Sequence, residues 1–139
     1  MSKKTHKITN KLEGVISISS KGTGYVKIEK KDEDIEIDSR HLNTALHGDT
    51  VAVVIHPKMH DRLTGEVSKI ISRAKNGFAG VLEEENGIFF LKPDDTRIYT
   101  DILIPEKMLS GAKAGDKVFA KIFSWEDSKK APEGKVEKV

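Results

Sequence analysis

The chain has 139 residues, 37% hydrophobic and 33% charged, a balance that fits thin cores under a heavily solvated exterior. With no cysteine it excludes disulfides and thiolate metal sites, and a net charge of +2 falls short of the basic signature of a tight duplex-DNA binder. No run approaches the roughly 20 apolar residues of a membrane span and the first residues lack the apolar stretch of a signal peptide, so a cytoplasmic protein with no membrane partner is expected.

Residues 1–11 are polar and are predicted to form a flexible N-terminal segment. Beyond them, short runs alternate apolar and polar residues at period two, are rich in β-branched residues and are separated by glycine turns, which reads as strands. The first five are predicted near Gly14–Ser19, Gly24–Glu29, Asp34–Ile37, Thr50–His56 and Gly65–Ser72. Between the third and fourth, "SRHLNTALHGD" reads as a short helix that Ser39 caps and Gly48 stops with a left-handed residue. Five more strands are predicted near Phe78–Glu83, Gly87–Lys92, Tyr99–Ile104, Lys117–Ser124 and Gly134–Val139, with "EKMLSGAKAGD" as one or two helical turns in the same place.

The second set repeats the first. Gly14 and Gly80 lie 66 residues apart, "DIEID" and "DILIP" 67, the Gly-Asp pairs of "HGDTVAV" and "AGDKVFA" 67, and Gly65 and Gly134 69. A unit of about 65 residues lies near the lower size limit of a separately folded domain, which predicts domains at 12–72 and 73–139. Five strands with a short helix between the third and fourth is the order of an oligonucleotide/oligosaccharide-binding (OB) barrel. The expected class is therefore all-β, two tandem five-stranded OB-fold barrels, each with a short helix between strands 3 and 4.

Strand phase separates core from surface. Val26, Ile28, Ile35 and Ile37 point inward, and Thr23, Tyr25, Lys27, Glu36 and Asp38 outward. In the second copy Phe89, Leu91, Ile102 and Ile104 point inward, and Ile88, Phe90, Lys92 and Leu103 outward. The outward faces of strands 2 and 3 are the usual ligand surface of such barrels.

With these residues in place, "KGTGYV" resembles the Lys-Gly-Phe-Gly-Phe-Val/Ile motif on the second strand of cold-shock domains. The ordered set "LNTALHGDTVAV", "GEVSKIISR", "LKPDDTRIYTDILIP" and "EGKVEKV" resembles the paired cold-shock domains at the front of bacterial ribonuclease R, in the ribonuclease II family. The resemblance covers Leu12–Val139. It implies a processive, magnesium-dependent 3′→5′ exoribonuclease as the parent, whose metal ions sit on aspartates of a separate catalytic domain. This chain is then expected to be a fragment without that domain and without the helical extension often found ahead of the first barrel. It is expected to need no cofactor, to have no catalytic or metal-binding residue, and to be a monomer. Its expected partners are single-stranded RNA and the catalytic domain of the same parent chain.

The chain departs from the cold-shock pattern where stacking residues are expected. Thr23 and Ile88 replace the first aromatic of the motif, and Glu36, Asp38, Leu103 and Pro105 occupy third-strand positions that are outward Phe and His in cold-shock proteins. One aromatic remains per face. A stacked base is worth about 1–3 kcal/mol, so weak, salt-sensitive, sequence-tolerant RNA binding is expected.

The candidate RNA-binding residues are Tyr25 and Phe90 for stacking, and Lys21, Lys27 and Lys92 beside them for phosphates. Lys58 and Arg62 join them from "HPKMHDRLT", the loop between the fourth and fifth strands. Each has a plain alternative as a surface aromatic or a solvated cation. Phe90 with Ile88 and Leu103 also makes an apolar patch suited to protein docking. His56 and His60 are four apart, a spacing that aligns ligands only on a helix, and "PDDTR" reads as a turn rather than a carboxylate pair. Trp125, in "SWEDSKKAPE", is either a lid on the barrel end or a contact for a neighbouring domain. A free-standing RNA chaperone or translation-associated protein, and a protein-docking module, stand as rival readings.

Overall fold

The computed structural model describes residues 11–28, 33–57 and 62–139. The predicted flexible segment lies outside these apart from Lys11, as does Glu29 at the expected end of the second strand. The chain divides into two compact units, the first ending at Lys75 and the second starting at Asn76.

The first unit holds β1 (Lys11–Ile18), β2 (Gly24–Val26), β3 (Ile35–Ile37), β4 (Thr50–Ile55) and β5 (Thr64–Ser72). The second holds β6 (Gly77–Glu85), β7 (Ile88–Pro93), β8 (Ile102–Ile104), β9 (Lys117–Ser124) and β10 (Glu133–Lys138). Each set closes into a barrel in the same order, β1-β2-β3-β5-β4 and β6-β7-β8-β10-β9. The contacts β3–β5 and β8–β10 are parallel; the other neighbours are antiparallel. These are the two five-stranded OB barrels expected from the sequence.

Alternation builds both cores. Ile16, Val26, Ile35, Ile37, Val51 and Val53 are fully buried in the first barrel, as are Leu82, Leu91, Ile102 and Ala120 in the second. Each large aliphatic side chain removed from water contributes about 1.5–3 kcal/mol. The repeated glycines mark tight crossings of the backbone. A Cβ on Gly14 would lie 2.7 Å from the Lys27 carbonyl oxygen, and one on Gly80 only 2.2 Å from that of Lys92. Both glycines sit where the first strand of a barrel passes from one neighbour to the other, a point at which only a missing side chain allows the backbones to close.

The repeated Gly-Asp pair fixes the entry to the fourth strand. Gly48 N–H donates to the Ile16 carbonyl at 2.8 Å, and Ile16 N–H to the Asp49 carbonyl at 3.0 Å. Gly115, Leu82 and Asp116 make the same two bonds, at 2.7 and 2.9 Å. Gly48 and Gly115 have φ of +92° and +94°, which disfavours any side chain there. The aspartate side chain then ties the preceding turn, accepting from Leu46 N–H in one barrel (2.8 Å) and Lys113 N–H in the other (2.9 Å).

A short helical element stands between the third and fourth strands of each barrel, as predicted. Each is a single 3-10 turn, Ser39–His41 and Glu106–Met108. The cap is Asp38, not Ser39: its carboxylate accepts from Arg40 N–H at 3.0 Å. Helix growth stops because Asn43 and Ser110, equivalent positions 67 apart, are left-handed with φ of 59° and 51°. Their side chains donate to equivalent last-strand carbonyls, Ser110 to Val136 at 2.9 Å and Asn43 to Val67 at 3.5 Å.

Asp49 is fully buried and also binds Ala74 N–H (2.9 Å) and the Arg73 guanidinium (2.7 Å). Asp116 is half-buried and its side chain is seen to tie only the local turn. Asp49→Ala is therefore expected to cost about 3 kcal/mol, by stranding buried donors and a paired arginine, and Asp116→Ala about 1 kcal/mol, the loss of a cap. Urea unfolding of the two variants followed by circular dichroism checks the ranking; an equal or larger loss at Asp116 would overturn it.

Candidate nucleic-acid interface

Strand pairing aligns equivalent rows across the outer faces. In the first barrel Ser17, Tyr25, Glu36 and Thr64 lie side by side across β1, β2, β3 and β5. In the second the row is Glu83, Phe90, Leu103 and Glu133, across β6, β7, β8 and β10. Tyr25 and Phe90 thus occupy the same place, both half-buried. Such placement leaves little rotamer freedom to lose on stacking, which suits a base platform.

The lysines surround these rings at different heights. Lys21 is exposed at the tip of the β1–β2 turn, which Gly22 closes with φ of 87° and a bond to the Ser19 carbonyl (3.0 Å). Lys27 is exposed just beyond β2, and Lys92 is exposed on β7 two residues past Phe90. Lys92 has a local counter-charge in Asp101. Burial pushes the Asp101 carboxyl above its ordinary range; Lys92 pulls it down and Glu83 pushes it up. Lys58 lies outside the described residues, as do His60 and Asp61.

Arg62 is placed on the first face, but in ion pairs. Its Nε lies 2.9 Å from Glu36 Oε1, and its terminal nitrogen 4.0 Å from Glu33 Oε2. Asp38 is likewise matched by Arg40 at 3.0 Å, and the Arg40 backbone N–H and guanidinium hold its carboxyl below the usual range. The two outward carboxylates that set this face apart from the cold-shock pattern are therefore each neutralised by an arginine on the same face. Beside them His56 bonds Glu66 at 3.0 Å and meets the His41 ring edge-on at 5.1 Å between centroids.

The second face is apolar at its centre, with Glu83 and Glu133 at its edges. Ile88 is 54% exposed, and a shallow groove runs past it between Phe89, Leu103, Pro105 and Glu133. "PDDTR" is a turn: Asp95 accepts from Arg97 N–H at 2.9 Å and pairs with its guanidinium, while Asp94 pairs with Lys117. Sequence reasoning did not assign His47, whose Nδ1 accepts from Ile18 N–H at 3.0 Å; it holds the end of β1. Among the described residues no group of three or more His, Cys, Asp or Glu is arranged to hold a metal ion, and no helix is long and apolar enough to cross a membrane.

Comparison with known proteins adds identity to this geometry. Residues 14–72 match the family model for the Ribonuclease B OB domain and residues 90–139 that for the Cold shock domain. Ribonuclease R of Vibrio cholerae is 30% identical over 134 residues, covering 92% of this chain and 16% of that protein. Ribonuclease R of Escherichia coli is 28% identical over 105 residues, covering 75% of this chain and 13% of that protein. The chain thus spans under a fifth of the length of these relatives. Among solved structures, Mycoplasma genitalium RNase R, in complex with ribose methylated single-stranded RNA, superposes with a TM-score of 0.80 at 20% identity, over 92% of this chain and 21% of that one. Yeast Ssd1, a pseudonuclease, gives 0.79 at 19%, over 99% and 24%. From Gly14 to Val139 the chain is similar to the tandem OB and cold-shock domains of bacterial ribonuclease R, in the ribonuclease II family.

Proposed function

We propose that this chain binds single-stranded RNA weakly and without sequence preference, in the cytoplasm, and guides it toward a catalytic domain of a ribonuclease R-like 3′→5′ exonuclease. The observation that carries the reading is the equivalent outward aromatic, Tyr25 and Phe90, at the centre of the ligand face of each barrel. Lys21, Lys27 and Lys92 supply charge for phosphates, with Lys58 a further candidate. Arg62 is half-exposed in its pair with Glu36. Such surface pairs are worth about 0–1 kcal/mol, so a phosphate can draw Arg62 away at small cost. The carboxylate it leaves behind keeps the interaction weak.

Fluorescence anisotropy with a short labelled oligoadenylate tests this. Tyr25→Ala and Phe90→Ala are each expected to weaken binding at least about fivefold, the lower end of a lost stacking platform. Each lysine that meets a phosphate should add about −0.7 to the slope of log K against log salt. Submicromolar affinity at physiological salt would overturn the weak-binding reading.

The chain supplies the path and not the chemistry in this reading; magnesium belongs to the catalytic domain. Labelled single-stranded RNA incubated with the chain and magnesium is expected to stay full length, and progressive shortening in a nuclease-free preparation would overturn that.

A second reading, docking of a protein surface, is favoured only on the second face, where Ile88 stands exposed beside Phe90 and Leu103. NMR titration with RNA separates the two: shifts at Tyr25 and the lysines support RNA, and an unmoved Phe90 supports docking there.

A further inference from the structure

The loop between β9 and β10 carries the chain's single tryptophan, and its construction goes beyond what a barrel closure needs. Trp125 leaves β9 and its ring meets Tyr99 at 6.2 Å between centroids, tilted by 46°. Its indole N–H donates to the Lys130 carbonyl at 3.0 Å, so the ring bridges the loop from entrance to exit. Between these points Asp127 folds a tight turn, with Lys129 N–H on its carboxylate (2.9 Å) and Lys130 N–H on its carbonyl (3.0 Å). The indole therefore cannot swing freely, and the two lysines spring from a fixed turn beside it.

Three further features belong to a ligand site rather than a buried lid. A cleft opens on this ring, lined also by Lys130 and by the carboxylates Glu126, Asp127 and Glu133. Tyr99 is 39% exposed and Phe123, two residues before Trp125, is 52% exposed, so the aromatic surface continues outward. Lys129 and Lys130 are both exposed. A rigid, partly exposed aromatic pair offers an unpaired nucleobase a sequence-tolerant π face, and the exposed Lys129 and Lys130 offer its flanking phosphates charge outside a cleft that Glu126, Asp127 and Glu133 make acidic, so stacking carries the match.

We propose that Trp125, with Tyr99, is a base-stacking site for single-stranded RNA, separate from Phe90, with Lys129 and Lys130 meeting the adjoining phosphates. The proposal rests on the reading that the chain binds single-stranded RNA. It places the stronger aromatic platform of the second barrel on a loop instead of on the strand face.

The single tryptophan makes the test direct. Unlabelled oligoadenylate is titrated into the full chain at low salt while indole fluorescence is followed, and anisotropy of the labelled oligonucleotide is measured in parallel. The expected result is quenching with the same midpoint as the anisotropy change. Trp125→Ala should weaken binding at least about fivefold and Trp125→Phe less. Lys129→Ala with Lys130→Ala should flatten the salt slope by about 1.4 and leave the indole bond to the residue 130 carbonyl available. Binding by anisotropy with unchanged indole fluorescence and an unchanged Trp125→Phe affinity overturns this site and leaves the general RNA-binding reading standing. No anisotropy change at all overturns that reading, and this site with it. Should Trp125→Ala fail to fold, the wild-type titration, Trp125→Phe and the lysine pair still decide the question.

Discussion

The Gly-Asp turn ahead of the fourth strand is the constraint on which each barrel depends. The first strand must serve two neighbours, so its ladder has to change partners midway, and a chain left to slide there loses its register. Two backbone bonds between Gly48, Asp49 and Ile16 pin that point, and Gly115, Asp116 and Leu82 repeat it. A slip of one residue would turn every side chain to the opposite face. With Ile16 held inward, Ser17 faces out, Tyr25 is its partner on β2, and Glu36 follows on β3. The outer face is thus positioned from a turn on the other side of the strand. In the first barrel Arg73 adds a lock, reaching the Asp49 carboxylate and the Thr44 carbonyl together. The buried carboxylate there satisfies Leu46 N–H, Ala74 N–H and a guanidinium at once.

The strands were legible in the sequence because their signal is local. Ile35 and Ile37, or Ile102 and Ile104, flank one outward residue, and period two leaves a single way to bury both. The glycine offsets were legible for a similar reason: a residue without Cβ at the crossing of two strands has no substitute. The early stop of the helical turn in the first barrel was not. Leu42, Ala45 and Leu46 carry helical spacing and are all buried, yet they reach the core through successive turns, with Ala45 N–H on the Leu42 carbonyl at 2.9 Å. What breaks the helix is Asn43 in a left-handed conformation, supported by Val67, 24 residues away. No local pattern announces that contact, and its counterpart is a serine, Ser110, so the repeat hid it too.

The candidate interface was legible in its strand-borne members and opaque in its loops. Tyr25 and Phe90 follow from phase alone. The partners of the charged residues do not, because they come from segments joined only by folding: Arg62 to Glu36, Asp101 to Lys92, Trp125 to Tyr99. Strand phase put Glu36 and Asp38 outward on the first face without showing a partner for either. In the folded chain each has an arginine, which lowers the penalty for an approaching phosphate without making the face basic.

The two barrels share a scaffold and diverge on its surface for one physical reason. An inward residue is held by dense contacts on every side, so Ile, Leu and Val recur at matching positions. An outward residue contributes little to stability and is free to follow ligand chemistry. The row Ser17–Tyr25–Glu36–Thr64 places a glutamate beside its ring, and the row Glu83–Phe90–Leu103–Glu133 places a leucine there with a glutamate at each end. The first barrel surrounds its single ring with paired charges. The second adds a tryptophan on its β9–β10 loop, where rigidity comes from the Lys130 carbonyl instead of a neighbouring strand. The second barrel thus carries one outward aromatic on its strand face and another on a loop, held by different means on a scaffold that repeats the first.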